Sequence, residues 1–86
     1  MNSVLFFVDV SASPDHNENQ KWQVFLNACR DMLATSLDTK RLSENCWQIP
    51  LQSELYVFAH LASEAKKVQL PCRSLFFENV PSWVVS

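Results

Sequence analysis

The order of apolar and polar positions divides the chain into four strands and two helices. Ser3 to Val10 is nearly continuous in Val, Leu and Phe, a run that a strand sustains only when both of its faces are covered, so it is read as a central strand. Ser11 to Asn19 is polar, holds Pro14, and offers two helix-start signals: Asp15 with Glu18 three residues on, and Asn17 with Gln20. From about Gln20 to Ser36, Trp22, Phe25, Leu26, Cys29, Met32 and Leu33 recur with a helical period and lay one apolar stripe. Leu37 to Ser43 is a weaker strand whose Lys40 and Arg41 suit an exposed rim.

The segment from Thr39 to Leu51 decides the topology. Ser43-Glu44-Asn45 reads as a tight connection with Asn45 in the left-handed conformation, after which Trp47, Ile49 and Leu51 alternate with Cys46, Gln48 and Pro50. Two strands therefore stand between the helices. Ser53 is the expected N-cap of the second helix, with Leu55, Phe58, Ala59, Ala62 and Ala65 as its buried stripe up to Lys67. Pro71 precedes a last core strand, Cys72 to Glu78, and an apolar tail, Trp83-Val84-Val85, ends the sequence.

The order β-α-β-β-α-β, with right-handed crossovers and an adjacent central hairpin, predicts an α+β domain over residues 1–86. It is a ferredoxin-like four-stranded antiparallel sheet with both helices on one face and a short C-terminal extension. One sheet face is then left without helices. The first strand is apolar on both sides, with Leu5 and Phe7 opposing Val4, Phe6 and Val8, and the last strand repeats the conflict with Leu75 and Phe77 against Phe76. Each such side chain left in water forgoes roughly 1.5–3 kcal/mol, which favours a partner surface, and a second copy of the chain is the commonest kind. The expected interface is Leu5, Phe7, Phe76, Trp83, Val84 and Val85.

Composition narrows the chemistry. The 86 residues contain no glycine, which excludes phosphate loops, dinucleotide fingerprints and nucleophile elbows that need a residue without Cβ. Left-handed backbone positions then fall to Asn or Asp. A net charge of -2 supplies no overall field for nucleic acid or anionic membrane. Cys29, Cys46 and Cys72 are widely spaced without a CxxC, which points to reduced, buried thiols in a cytoplasmic protein. No signal peptide and no membrane span is expected.

A first strand ending in Asp, "VLFFVDV", a hairpin reading "RLSENCWQIP", and a short strand after the core resemble the small ferredoxin-like proteins grouped with the CRISPR spacer-acquisition nuclease-like subunit and the virulence-associated D toxins. The resemblance implies that Asp9, paired with its copy across a two-fold axis, is the metal-ligating and catalytic candidate of a Mg²⁺-dependent nuclease or toxin-like ribonuclease. The chain departs from that pattern in the loop after Asp9, which is acidic and lacks Lys and Arg.

Three readings follow. The leading one is a non-catalytic homodimeric interaction module without cofactors, binding through the open sheet face and the tail. The second is the nuclease using Asp9. The third is a small-ligand-binding dimer with a pocket between sheet and helices, lined by Phe6, Trp47 and Phe76 and with His16 at its mouth. His60, with Glu64 one turn on and Lys67 beyond, reads as part of a solvated helix face.

Overall fold

The computed structural model describes residues 3–11 and 15–78. Six elements follow in the order β1 (Ser3–Val8), α1 (His16–Thr35), β2 (Lys40–Ser43), β3 (Cys46–Pro50), α2 (Leu51–Lys67) and β4 (Cys72–Phe77). The strands form one antiparallel sheet ordered β2-β3-β1-β4, the ferredoxin-like arrangement expected from the element order. The two crossovers explain that order: α1 carries the chain past β3's place to the rim, and α2 carries it past β1 to the other rim.

Strand β1 is central, pairing Val4 with Ile49 and Phe6 with Trp47 on one side, and Val4 with Phe76 and Leu5 with Leu75 on the other. Val4, Phe6 and Val8 face the helices and are fully buried with Trp47 and Ile49 against Phe25, Cys29, Val57, Leu61 and Ala65. The aromatic rings interlock: Phe25 meets Trp47 at 6.1 Å and a steep angle, Trp22 stacks on Phe25 at 5.5 Å, and Phe58 meets Phe6 edge-on at 5.9 Å. Such pairs add about 0.5–1.5 kcal/mol each beyond the area they bury.

Helix α1 begins earlier than Gln20 because Asp15 caps it, its carboxylate accepting the Glu18 amide at 2.7 Å. The Glu18 side chain in turn accepts from both the amide and the hydroxyl of Ser11, tying the helix start to the end of β1. The α1 stripe is as expected: Phe25 and Cys29 are buried, and Trp22, Leu26, Met32 and Leu33 pack against them.

Helix α2 differs from expectation in two ways. It starts at Leu51 directly from Pro50, without a side-chain cap, so Ser53 is not the N-cap and Leu51 does not extend β3. Its buried stripe is Val57, Leu61 and Ala65, flanked by Phe58 and Ala62, whereas Leu55 and Ala59 lie on the exposed side. The observed stripe continues from Glu54, itself buried three residues before Val57, where a non-helical backbone (φ -132°, ψ 35°) kinks the helix one turn in. The buried Glu54 carboxylate accepts the amides of Leu37 and Asp38 at 2.9 and 3.1 Å and the Thr39 hydroxyl at 2.7 Å, clasping the α1–β2 connection to α2.

The left-handed residue is Gln69 (φ 59°), not Asn45 and not any Asn or Asp among the described residues. Gln69 follows α2 in a Schellman cap: its amide donates to the Lys66 carbonyl at 3.1 Å and the Leu70 amide to that of Ala65 at 2.9 Å, while Leu70 is buried. Asn45 serves another end. Its side-chain amide donates to the Val8 carbonyl and its own carbonyl accepts the Val8 amide, extending the β1–β3 pairing by one rung. The β2–β3 hairpin closes through a register shift between Arg41 and Ser43.

Two outcomes test these devices. Gln69→Gly relieves the left-handed strain of a residue with Cβ, about 1–2 kcal/mol, against a greater unfolded-state entropy of about 0.4–1 kcal/mol. Urea titration is expected to show a net gain of stability without a change in slope. For Glu54, burial raises the carboxyl pKa, but the hydrogen bonds from Thr39, Leu37 and Asp38 outweigh it and hold the group below its ordinary value of 4.5. A carboxyl depressed on folding stabilises fully above its unfolded pKa and loses that contribution as pH falls through the folded one. Glu54→Gln is therefore expected to lose about 1–3 kcal/mol at pH 7, and the gap between it and the parent to narrow in thermal melts taken progressively below pH 4.5.

Candidate functional site

The sheet's two rims are built differently. At the β2 rim, Lys40 and Arg41 stand exposed, and Arg41 folds back over the Trp47 ring with its carbon 5.2 Å from the ring centre, donating to the Ser43 and Glu44 carbonyls. Charge and a bulged register discourage strand addition there. The β4 rim has no register shift, and its one charged residue, Arg73, is paired with Asp9. Its outer edge faces no strand among the described residues, and it carries Leu75 on the helix-free face and Phe76 on the helix face, 55% and 59% exposed. Phe76 meets Phe58 edge-on at 5.7 Å but is otherwise open.

Of the expected interface residues, Phe76 is open, Phe7 is half-buried beneath the Arg73 guanidinium (6.0 Å to the ring centre), and Leu5 is buried. Trp83, Val84 and Val85 lie outside the described residues. Leu75 and Phe76 thus stand exposed side by side on β4, while Val24, Leu37, Leu42, Leu55 and Tyr56 are exposed elsewhere on the surface. Phe7, Arg73, Ser74 and Leu75 line a shallow depression of about 290 Å³ on the helix-free side. Alternation placed Leu75 on that face from the start, but only the pairing order makes β4 a rim.

Asp9 stands just past β1, where its amide donates to the Pro71 carbonyl at 2.8 Å and its carboxylate accepts Arg73 at 2.9 Å. A second depression of about 360 Å³ opens beside it, lined by Asp9, Ser11, Asp15, Glu18, Lys21 and Pro71 among others. Lys21 brings to this mouth a positive charge that the loop after Asp9 lacks, while Arg73 pairs with Asp9 from the depression on the helix-free side. Sequence reading missed Lys21, which reaches the mouth because the Asp15 cap starts α1 early and puts Asn17, Glu18 and Lys21 on one helical face. Asp15 itself is engaged as the cap. Among the described residues, no three His, Cys, Asp or Glu side chains stand together as a metal-holding group.

The other expected positions fall as follows. Phe6 and Trp47 are fully buried within the interlocked rings, with Phe25, Trp22 and Phe58 packed against them between sheet and helices. His16 is exposed at the first residue of α1. His60 is half-exposed on the face that carries the Glu64–Lys67 pair, and its Nε2 also donates to the Ala28 carbonyl at 3.1 Å, bridging the two helices. Cys29 and Cys46 are buried as expected, but Cys72 is exposed. Burial, and secondarily the Glu64 charge, pushes the Cys29 thiol up to about 11, and burial also raises Cys46. Neither is poised as a nucleophile.

No protein family, curated protein or solved structure matches the chain. Among the described residues no helix is long and apolar enough to cross a membrane.

The Asp9–Arg73 pair is solvent-accessible on both partners, so screening limits its worth to under about 1 kcal/mol. Asp9→Asn is expected to leave the urea midpoint almost unchanged, in contrast to Glu54→Gln.

Proposed function

We propose that this protein is a non-catalytic interaction module that works as a homodimer, joined through β4. The carrying observation is the unprotected rim, where Leu75 and Phe76 stay more than half exposed on opposite faces of one strand. Backbone groups of an edge strand supply affinity and the flanking side chains supply specificity. The strand is self-complementary: a two-fold axis through Leu75 keeps both helical layers on one side and sets Arg73 opposite Phe77 and Ser74 opposite Phe76. Pairing β2 with its own copy instead crowds Lys40 and Arg41 against their equivalents.

Burying the remaining half of Leu75 and Phe76 gives about 1.5–3 kcal/mol per protomer, hence about 3–6 kcal/mol over both copies, or on the order of 10²- to 10⁴-fold in dimer affinity. Sedimentation is expected to show a dimer for the parent and a shift of that size toward monomer for Leu75→Ser/Phe76→Ser, with the far-ultraviolet circular dichroism unchanged. A parent chain that remains monomeric throughout the micromolar range refutes the reading.

A second reading, the Mg²⁺-dependent nuclease using Asp9, is favoured by one observation: Lys21 and Asp9 line one depression large enough for a phosphate and its ion. Cleavage of RNA or DNA that requires Mg²⁺ and is abolished by Asp9→Asn supports it. Cleavage unaffected by that substitution, or none, dismisses it.

A further inference from the structure

The outer edge of β4 offers a definite set of backbone groups. One step beyond the Val8–Cys72 pair, the Asp9 amide donates to the Pro71 carbonyl, and along an antiparallel ladder hydrogen-bonded pairs alternate with non-bonded ones. Arg73, Leu75 and Phe77 therefore bond toward β1, and Cys72, Ser74 and Phe76 turn their N–H and C=O groups outward. The far side of β1 agrees, since the Val8 amide bonds the Asn45 carbonyl and so aims the even-numbered residues of β1 at β3. Every residue from Cys72 to Phe76 is exposed.

A two-fold axis normal to the sheet sets residues of one face opposite each other, so it passes through a residue and never between two. Three centres are then open. Centred on Ser74, the outward groups of β4 make three rungs: Cys72 with Phe76, Ser74 with itself, and Phe76 with Cys72. Centred on Leu75 they make two, Ser74 with Phe76 and the reverse; centred on Phe76, only Phe76 with itself lies within β4. Backbone bonding alone favours the Ser74 register.

Arg73 opposes that choice. In the Ser74 register it stands opposite Leu75 of the second copy and diagonal to that copy's Arg73, about 7–8 Å away on the same face. In the Leu75 register the two Arg73 residues are four steps apart along the strands, roughly 14 Å, which exceeds the screening length of about 8 Å. Each then lies opposite Phe77. The Arg73 side chain is 73% exposed and sits 6.0 Å from the centre of its own Phe7 ring, so Phe77 of the second copy extends an aromatic surface it already uses.

We infer that Arg73 sets the register of the β4 join, an inference that rests on the homodimer reading: like charge excludes the Ser74-centred pairing, and Phe77 favours the Leu75-centred one.

Disulfide trapping in the full chain reads the register, because only a residue on the axis meets its own copy with Cα atoms about 4.4–6.8 Å apart. With Cys72→Ser throughout, Leu75→Cys is expected to form an interchain disulfide under diamide at least about tenfold faster than Ser74→Cys. Adding Arg73→Ala is expected to reverse the preference, and adding Arg73→Lys, which keeps the charge, to preserve it. A preference unmoved by Arg73→Ala, a reversal by Arg73→Lys, or faster trapping of Ser74→Cys while Arg73 is present overturns the inference. If the parent still sediments as a dimer, any of those results removes the register and leaves the dimer standing. A parent that sediments as a monomer, or trapping at neither position, removes both.

Discussion

The structure depends on burying one side of β1 completely. Val4, Phe6 and Val8 are inaccessible to water, and a strand can hold such residues only when its backbone is paired on both sides and its side chains meet a packed layer. The pairing comes from β3 and β4, and the layer from Phe25, Cys29, Val57, Leu61 and Ala65. Both crossovers are consequences, since each helix must return across the sheet to leave β1 between its two neighbours. The ring cluster of Trp22, Phe25 and Trp47 then fills the wider end beneath β3, and Arg41 closes it from the rim.

A chain without glycine must make its sharp connections in other ways, and three solutions are visible. Gln69 accepts a left-handed backbone because two carbonyl bonds and the burial of Leu70 offset its strain. The β2–β3 turn uses a register shift and the Asn45 amide. Glu54 takes over the amides of the α1–β2 connection with a buried carboxylate. The last two place a polar side chain where a bare backbone turn would otherwise suffice, whereas the Gln69 cap is made by backbone bonds alone.

The fold was legible because the central hairpin and the two helical periods are local signals, written within a few residues of one another. The Asp15–Glu18 start of α1 was legible for the same reason. What escaped was non-local. The buried stripe of α2 includes Glu54, which reaches the α1–β2 connection, and a helical period alone does not choose between Leu55 and Val57 when both are apolar. His60 read only as a solvated neighbour of Glu64 and Lys67 until α1 came within reach. Gln69 carries no residue-type signal for a left-handed cap. At the surface, alternation identified the apolar positions, but Leu5 lies on a central strand and Leu75 on a rim, which only the assembled sheet decides. Lys21 and Arg73 join Asp9 only through the topology.

On the proposed pairing, the unlike rims would give the sheet a valency of one. A pair joined through β4 would present a Lys40–Arg41 border at each outer end, so strand addition would halt after a single event and the assembly would close upon itself. An isologous contact closes where a heterologous one can propagate, and in such a pair the safeguard would reside in two cationic residues that take no part in the join.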